Sequence, residues 1–280
     1  MLRVIVAEVR QQIRSLGAAG AFWCLLLLVV INYCWNVLHF AGEEVVDVVF
    51  PMKMLLISHN RTYYNAENTL IFIQLFPILA VLPAGFSLSR EQSGRQELLL
   101  VSRIGRKRYY ISRICAAFLT TALVMGIPMF LEFILNLIAF PLNAAGDFSN
   151  WGLYEDQYGK IVNHYLWRDF YMKHPYFYTL LGLIRYSIFS GFIGAFTAAV
   201  SGFVRVKYRI FLFLPAYLLL QVSGLISELF SGIHYSTKWY DYILLFNGES
   251  KNYVFGIGFM SLIVLFTIAG SFHGGKKDCL

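Results

Sequence analysis

The chain has 280 residues, of which 58% are apolar, 17% are aromatic and only 14% are charged, with a mean hydropathy of +0.60. Soluble domains carry roughly 25% charged residues, so this chain has too few charges to cover a soluble surface. The composition also excludes intrinsic disorder, a collagen-like repeat and a small disulfide scaffold. It indicates an integral membrane protein, whose net charge of +7 is expected in cytoplasmic loops rather than in a nucleic-acid site.

Six stretches of about 20 residues are long and apolar enough to cross a ~30 Å hydrocarbon core as helices. Before them, residues 1–17 place apolar side chains at helical spacing with arginines elsewhere around the helix, which predicts an interfacial amphipathic helix on the inner leaflet. The predicted fold is therefore an all-α integral membrane protein, with a six-span domain over 18–273, a cytoplasmic helix between spans two and three, and a tail at 274–280. The predicted spans are 18–40, 69–89, 114–140, 178–204, 210–230 and 253–272.

The distribution of lysine and arginine predicts the orientation of these spans. With the N-terminus inside, the segments on that side carry fifteen basic residues and those on the other side carry seven, with Arg185 inside a span. Cytoplasmic loops retain positive charge, so both termini are predicted to be cytoplasmic, in the plasma membrane of a bacterial cell. The outer segment 141–177 is rich in tyrosine and tryptophan, which is more typical of an aromatic belt than of a substrate vestibule.

Enzyme motifs are absent from the sequence. It contains no G-x-x-x-x-G-K-[ST] phosphate loop, no H-E-x-x-H and no G-x-S-x-G. The six histidines are scattered mainly over outer loops and span ends, and the four cysteines predict no disulfide. We therefore expect no catalytic, cofactor or metal site in this chain.

The segment 89–110 is the most informative part of the sequence. Acidic residues and a glycine come before a short apolar run, Leu98–Val101, and a basic cluster follows before the chain re-enters the membrane. This order predicts a short amphipathic helix parallel to the membrane that offers the apolar run to a cytoplasmic partner. A positively charged retention loop without a partner is the alternative interpretation.

This loop resembles the coupling loop of the permease subunits of type-2 ABC transporters. Three positions depart from the family pattern, because Arg95, Arg103 and Gly105 stand where threonine, proline and serine are usual. Six spans, an N-terminal interfacial helix and inside termini extend the resemblance over the whole chain, although the outer segment 141–177 is longer than usual. The positions that fit the pattern are Arg90, Glu91, Gly94, Glu97, Leu98, Leu99, Ile104, Arg106 and Arg113.

The resemblance implies a transport subunit rather than an enzyme. Two six-span permeases, identical or homologous, would form a translocation path, and two separate ABC ATPase subunits carrying ATP and Mg would dock beneath them, with export favoured over import. Two other function classes remain open, a non-ABC membrane carrier or channel and a membrane assembly factor without transport activity. The residues implied to couple to the ATPase are Glu91, Gly94, Glu97, Leu98, Leu99 and Arg106.

Three ionisable residues lie inside apolar spans: Glu132, Arg185 and Glu228. Glu132 and Arg185 share a depth about 10–12 Å below the outer ends of their spans. A lone charge at that depth is costly, so we expect them to pair or to line a wet cavity, as a static tie or as an outer gate. Glu228 lies close enough to its span end for hydration.

Small residues repeat every four positions along the fourth span. They allow another helix to approach closely, and packing within the subunit is favoured over a dimer seam. The four positions are Ser190, Gly194, Ala198 and Gly202.

Overall fold

The computed structural model describes residues 2–39, 41, 56–57, 66–87, 101–102, 105–140, 167–202, 209–229, 234–243 and 251–274. Over these residues the chain is helical and forms no β-strand, which confirms the predicted all-α class for this part of the chain. A 3₁₀ helix at Arg209–Phe213 precedes α7. The α-helices are α1 (Leu2–Ile13), α2 (Leu16–His39), α3 (Ala66–Val81), α4 (Arg106–Ala139), α5 (Arg168–Lys173), α6 (Pro175–Ser201), α7 (Leu214–Leu229), α8 (Trp239–Ile243) and α9 (Tyr253–Gly274).

Three of these helices are long and apolar enough to cross a membrane: α2, α4 and α6. The apolar stretches of the other three apolar helices are shorter, and they cover Glu67–Val81, Phe211–Ile226 and Val254–Gly270. The described residues therefore contain three helices of spanning length, where the sequence predicts six spans. Apolar helices of this length suit the protein to a membrane.

Pro83 accounts for the end of helix α3. The predicted second span runs over 69–89, but the helix ends at Val81 and the chain continues in turns over 82–86. Pro83 has no N–H to donate, and a residue that precedes proline is disfavoured in the α conformation. The Leu82 amide still donates to the Ile78 carbonyl at 3.1 Å, and the Gly85 amide donates to the Val81 carbonyl at 2.8 Å.

Neighbouring helices run in alternating directions. The start of α2 lies against the end of α3, where a side chain on Gly17 would meet the Leu82 carbonyl. Farther along α2, the Asn68 amide of α3 donates to the Asn32 side chain at 3.4 Å. Helices α2 and α3 are therefore antiparallel.

The most extensive contact is between α4 and α6, which are also antiparallel. A side chain on Gly126 of α4 would meet Ser187 of α6, and a side chain on Gly194 of α6 would meet Thr121 of α4. A Cβ atom at either position would overlap the facing Ser187 or Thr121 side chain, so the two helices are closely packed at both glycines. Dispersion contacts at such close approach stabilise helix pairs in membranes.

We expect Gly194→Ala to destabilise the protein by about 1–3 kcal/mol, the usual cost of adding a methyl group to a packed interior. The matched control is Gly258→Ala on α9, because a Cβ there meets no atom within 4 Å. That change should leave the thermal midpoint in detergent unchanged or raise it slightly, since alanine favours helix over glycine. Equal midpoints for the two variants would contradict the close packing of α4 on α6.

Helix α8 belongs to the segment 231–252, which the sequence predicts to be an outer loop, yet it packs into the bundle. Trp239 is only 5% exposed, and its ring stacks on Phe76 of α3 at 4.8 Å between centroids and lies 6.4 Å from Phe189 of α6. Asp241 and Ile243 on the same helix are also buried. This segment therefore forms part of the core of the described bundle.

Candidate functional site

A buried ion pair joins α1 to the first turns of α4. The Arg113 guanidinium donates to the Glu8 carboxylate, and the two residues are 2% and 8% exposed. Arg113 also lies over the Tyr109 ring, with 5.5 Å between the guanidinium carbon and the ring centroid. Arg113 fits the basic position at the end of the predicted coupling loop, so this junction ties the N-terminal helix to the end of that loop.

Two polar residues of α1 face the protein. Glu8 and Gln12 are buried, whereas Val6 and Ile13 are 58% and 43% exposed. An amphipathic helix that turns its apolar side away from the bundle can lay that side on a membrane surface. Glu8 is thus paired with Arg113 inside the protein, while Val6 and Ile13 remain available to a membrane surface.

Most of the predicted coupling residues, Glu91, Gly94, Glu97, Leu98 and Leu99, lie outside the described residues. Arg106 is described, and it is the half-buried first residue of α4. Gly105, immediately before it, has a φ of 83°, a conformation that glycine adopts without the steric cost of a side chain. The backbone therefore explains why glycine stands where the family pattern has serine.

The second part of the site is a buried polar network around Glu132. This residue is fully buried, and its Oε1 accepts hydrogen bonds from the Asn32 side-chain amide and from the Ile57 backbone N–H, each at 2.8 Å. The Thr69 hydroxyl donates to the Ile57 carbonyl at 3.1 Å. One carboxylate thus links α2, α3, α4 and the segment 56–57.

The other carboxylate oxygen of Glu132 is buried without a hydrogen-bond partner among the described atoms, as are both amide atoms of Asn136. The two residues are four apart on α4 and therefore lie on the same helix face. An ionised carboxylate in an apolar interior is costly. Chemically, the arrangement suits a neutral acid whose proton is on Oε2, or a carboxylate balanced by a small cation.

The predicted pair of Glu132 with Arg185 is wrong. The hydrogen bonds of Glu132 go to Asn32 and Ile57, and the Arg185 Nη2 atom donates to the Ile243 carbonyl of α8 at 3.5 Å. A shared depth did not bring the two residues together, because Glu132 lies on the α2-facing side of α4 whereas Arg185 lies on a side of α6 that meets α8. Glu228 is near the end of α7, and its side chain lies outside the described part of the chain.

The small residues of α6 pack inside the chain. The fully buried Ser190 hydroxyl donates to the Tyr186 carbonyl at 2.9 Å, and Gly194 lies against Thr121. Ala198 forms a buried cluster with two alanines outside α6, Ala84 and Ala117, and Gly202 is the C-cap of the helix. This face of α6 is therefore occupied by α4 and by the turn that follows α3.

Sequence reasoning missed three residues of the site: Glu8, Asn32 and Asn136. The sequence contains a feature that could have indicated each of them. Glu8 is the only acidic residue of α1, and Asn136 follows Glu132 by one helical turn. Asn32 and Asn36 are similarly one turn apart in α2 and both buried. Within the described ranges, no group of three or more histidine, cysteine, aspartate or glutamate side chains is placed to hold a metal ion.

Comparison with known proteins adds one relative. The chain is 28% identical to the uncharacterized protein YybM of Bacillus subtilis (strain 168) in an alignment of 165 positions that covers 55% of this chain and 62% of YybM. The chain thus spans less than two thirds of the length of that relative. No family model matches the chain, and no solved structure matches it.

Proposed function

We propose that this chain is the permease subunit of an ATP-driven ABC exporter. Six helices cross the bacterial plasma membrane with both termini in the cytoplasm, and a second permease, identical or homologous, completes the translocation path. Two separate ABC ATPase subunits bind ATP and Mg and dock on the loop 90–109. The chain itself is a transport subunit and not an enzyme.

The observation that carries this proposal is the continuity between the loop and the core of the bundle. Residues that fit the family coupling pattern run directly into α4, a helix of 34 residues that packs on α1, α2 and α6. From Arg106 to Glu132 this helix extends about 40 Å, at 1.5 Å per residue. A displacement of the loop by an ATPase would therefore reach the Glu132 network through one continuous helix, which contains Pro128 one turn before Glu132.

The alternating helix directions support the proposed topology. Helix α2 is antiparallel to α3, and α4 is antiparallel to α6. Spans that cross a membrane in succession must alternate in this way. The exposed apolar side of α1 supports its assignment to the inner leaflet, close to the basic first turn of α4, which belongs on the cytoplasmic side under the positive-inside rule.

A non-ABC carrier is the second candidate, and the Glu132 network favours it. Carriers that use a proton or a cation place ionisable groups inside the membrane, and Glu132 is surrounded by buried asparagine and threonine side chains. The two candidates differ in whether transport requires ATP hydrolysis by a partner chain.

The coupling loop provides the test. The chain is to be purified with the ATPase that accompanies it, placed in proteoliposomes, and assayed for ATP hydrolysis above that of the ATPase alone. We expect Glu97→Ala combined with Leu98→Ala to reduce this hydrolysis to the level of the ATPase alone, because both side chains lie in the proposed docking helix. Expression and membrane insertion should not change, since the loop is outside the spans.

Lys173→Gln is the matched control, because Lys173 is an exposed cation at the end of α5, in the predicted outer segment and outside the loop 90–109. It should leave the hydrolysis unchanged. Full hydrolysis in the double variant would refute the coupling assignment. Transport by the purified chain without any ATPase would establish the carrier instead.

A further inference from the structure

A cavity of about 600 Å³ lies between α6, α8 and α9. Its lining includes Arg185 and Phe189 from α6, Trp239 from α8, and Met260 and Val264 from α9. The volume is within the range of small-molecule sites, which run from about 300 to 1,000 Å³ and are mostly apolar with a few placed polar groups. This cavity matches that description, because an almost wholly apolar wall carries one cationic side chain.

The walls of the cavity are held in place by packing. Gly256 lets α9 approach α8, since a Cβ there would lie 2.8 Å from the Tyr242 ring. The Tyr242 hydroxyl donates to the Ser236 carbonyl at 2.6 Å and accepts from the Asn252 N–H at 3.2 Å. With Trp239 stacked on Phe76, these contacts fix α8 and make the cavity a preformed one.

The rim of the cavity is apolar. Ile257 and Leu265 line it and are 68% and 66% exposed on the surface of α9. On a helix that lies in a membrane, side chains exposed in this way meet lipid hydrocarbon. A ligand entering between them arrives from the bilayer, which favours an amphiphile over a water-soluble anion.

Arg185 gives the cavity a preference for a negatively charged ligand. A guanidinium carries five N–H donors in a fixed fork that matches carboxylate and phosphate groups, so it can bind an anionic head group beside the Ile243 carbonyl. We propose that the cavity between α6, α8 and α9 binds an amphiphile with one anionic head group at Arg185 and a hydrocarbon body along α9.

Trp239 allows binding to be measured at the cavity itself. The full chain is used in phosphatidylcholine nanodiscs without an ATPase, with Trp23, Trp35, Trp151 and Trp167 replaced by phenylalanine. The probe is dibromostearic acid, whose bromine atoms quench a tryptophan that they touch, and the comparison ligand is dibromostearyl alcohol. We expect saturable quenching by the acid, with at least about tenfold weaker binding of the alcohol, since a hydrogen bond to a charged group contributes about 1.5–3 kcal/mol.

A second single-tryptophan protein that keeps Trp35 instead measures partitioning of each ligand into the bilayer, because Trp35 is 60% exposed on α2. If each ligand quenches Trp239 only in proportion to its quenching of Trp35, the ligand is merely dissolved in the bilayer and the proposal is overturned. Equal affinity for acid and alcohol would do the same, because the site would then recognise hydrocarbon alone.

Two pairs of variants test the cation and the cavity separately. Arg185→Gln should weaken acid binding to the level of the alcohol, whereas Arg185→Lys should keep a preference for the acid. Val264→Phe should weaken quenching by narrowing the cavity, while Leu262→Phe should not, because Leu262 is exposed at 43% and is not part of the lining. Unchanged acid binding in Arg185→Gln or Val264→Phe would refute the site. The binding assay needs no ATPase, so its outcome is independent of ATP-driven export.

Discussion

Replacing Glu132 by leucine should destabilise the protein by about 2–6 kcal/mol, whereas replacing it by glutamine should preserve its stability. Leucine leaves two buried donors, the Asn32 side-chain amide and the Ile57 N–H, without an acceptor, and each such group costs about 1–3 kcal/mol. Glutamine offers a carbonyl oxygen in place of Oε1 and an amide in place of Oε2. Thermal and denaturant unfolding in detergent measure both changes.

Gln74→Leu is the control for this pair, because it removes a polar side chain from an exposed position in the apolar helix α3. It should shift the unfolding midpoint little. A glutamine variant as unstable as the leucine variant would contradict the expectation. It would mean that the carboxylate is charged in the folded protein and that a bound cation balances it.

Arg113→Met should destabilise the protein by about 3–5 kcal/mol, the usual cost of leaving one member of a buried ion pair without the other. The group left without its ion-pair partner is Glu8, which is buried at the junction of α1 and α4. The double variant Glu8→Met and Arg113→Met should recover most of this loss, because two methionines can fill the space without a buried charge. The unfolding midpoints of the two single variants and the double variant provide the measurement.

Arg108→Met is the matched control, since Arg108 is an exposed cation one turn before Arg113 on the same helix. Its midpoint should stay near that of the unchanged protein. If the effects of Glu8→Met and Arg113→Met simply add in the double variant, the two side chains do not interact and the junction has been misassigned.

Hydropathy was sufficient to locate the three longest helices, because the length of an apolar stretch depends only on local sequence. The predicted spans 18–40, 114–140 and 178–204 overlap α2, α4 and α6 over most of their lengths. The C-terminal end of α3 was less predictable, since the helix stops before Pro83 inside a stretch that remains apolar. Apolar composition alone does not distinguish helix from a buried turn.

The partner of Glu132 could not be predicted because depth in a membrane does not determine which face of a helix a residue occupies. Arg185 precedes Ser190 by five residues, which places it about 140° around α6 from Ser190 at 3.6 residues per turn. The small-residue face that begins at Ser190 packs on α4. Arg185 therefore points away from α4 and towards α8.

The burial of α8 was missed for a different reason. Tryptophan and tyrosine near a span end are typical of an interfacial belt, and the sequence around Trp239 has that composition. Only the tertiary structure shows that its ring packs against both Phe76 and Phe189. Aromatic residues of an outer segment can complete a core when two neighbouring helices leave a gap between them.

The position of α4 in the chain determines the order in which the protein can be built during synthesis. Glu8 is separated from Arg113 by 105 residues, and Asn32 is separated from Glu132 by 100. At about 5–20 residues per second, the ribosome supplies these partners roughly 5–20 s after α1 and α2 have emerged. During that interval neither contact can form, and the exposed Val6 and Ile13 side chains of α1 can lie on a membrane surface. Both long-range contacts require α4, so the N-terminal half cannot be completed before that helix has been made.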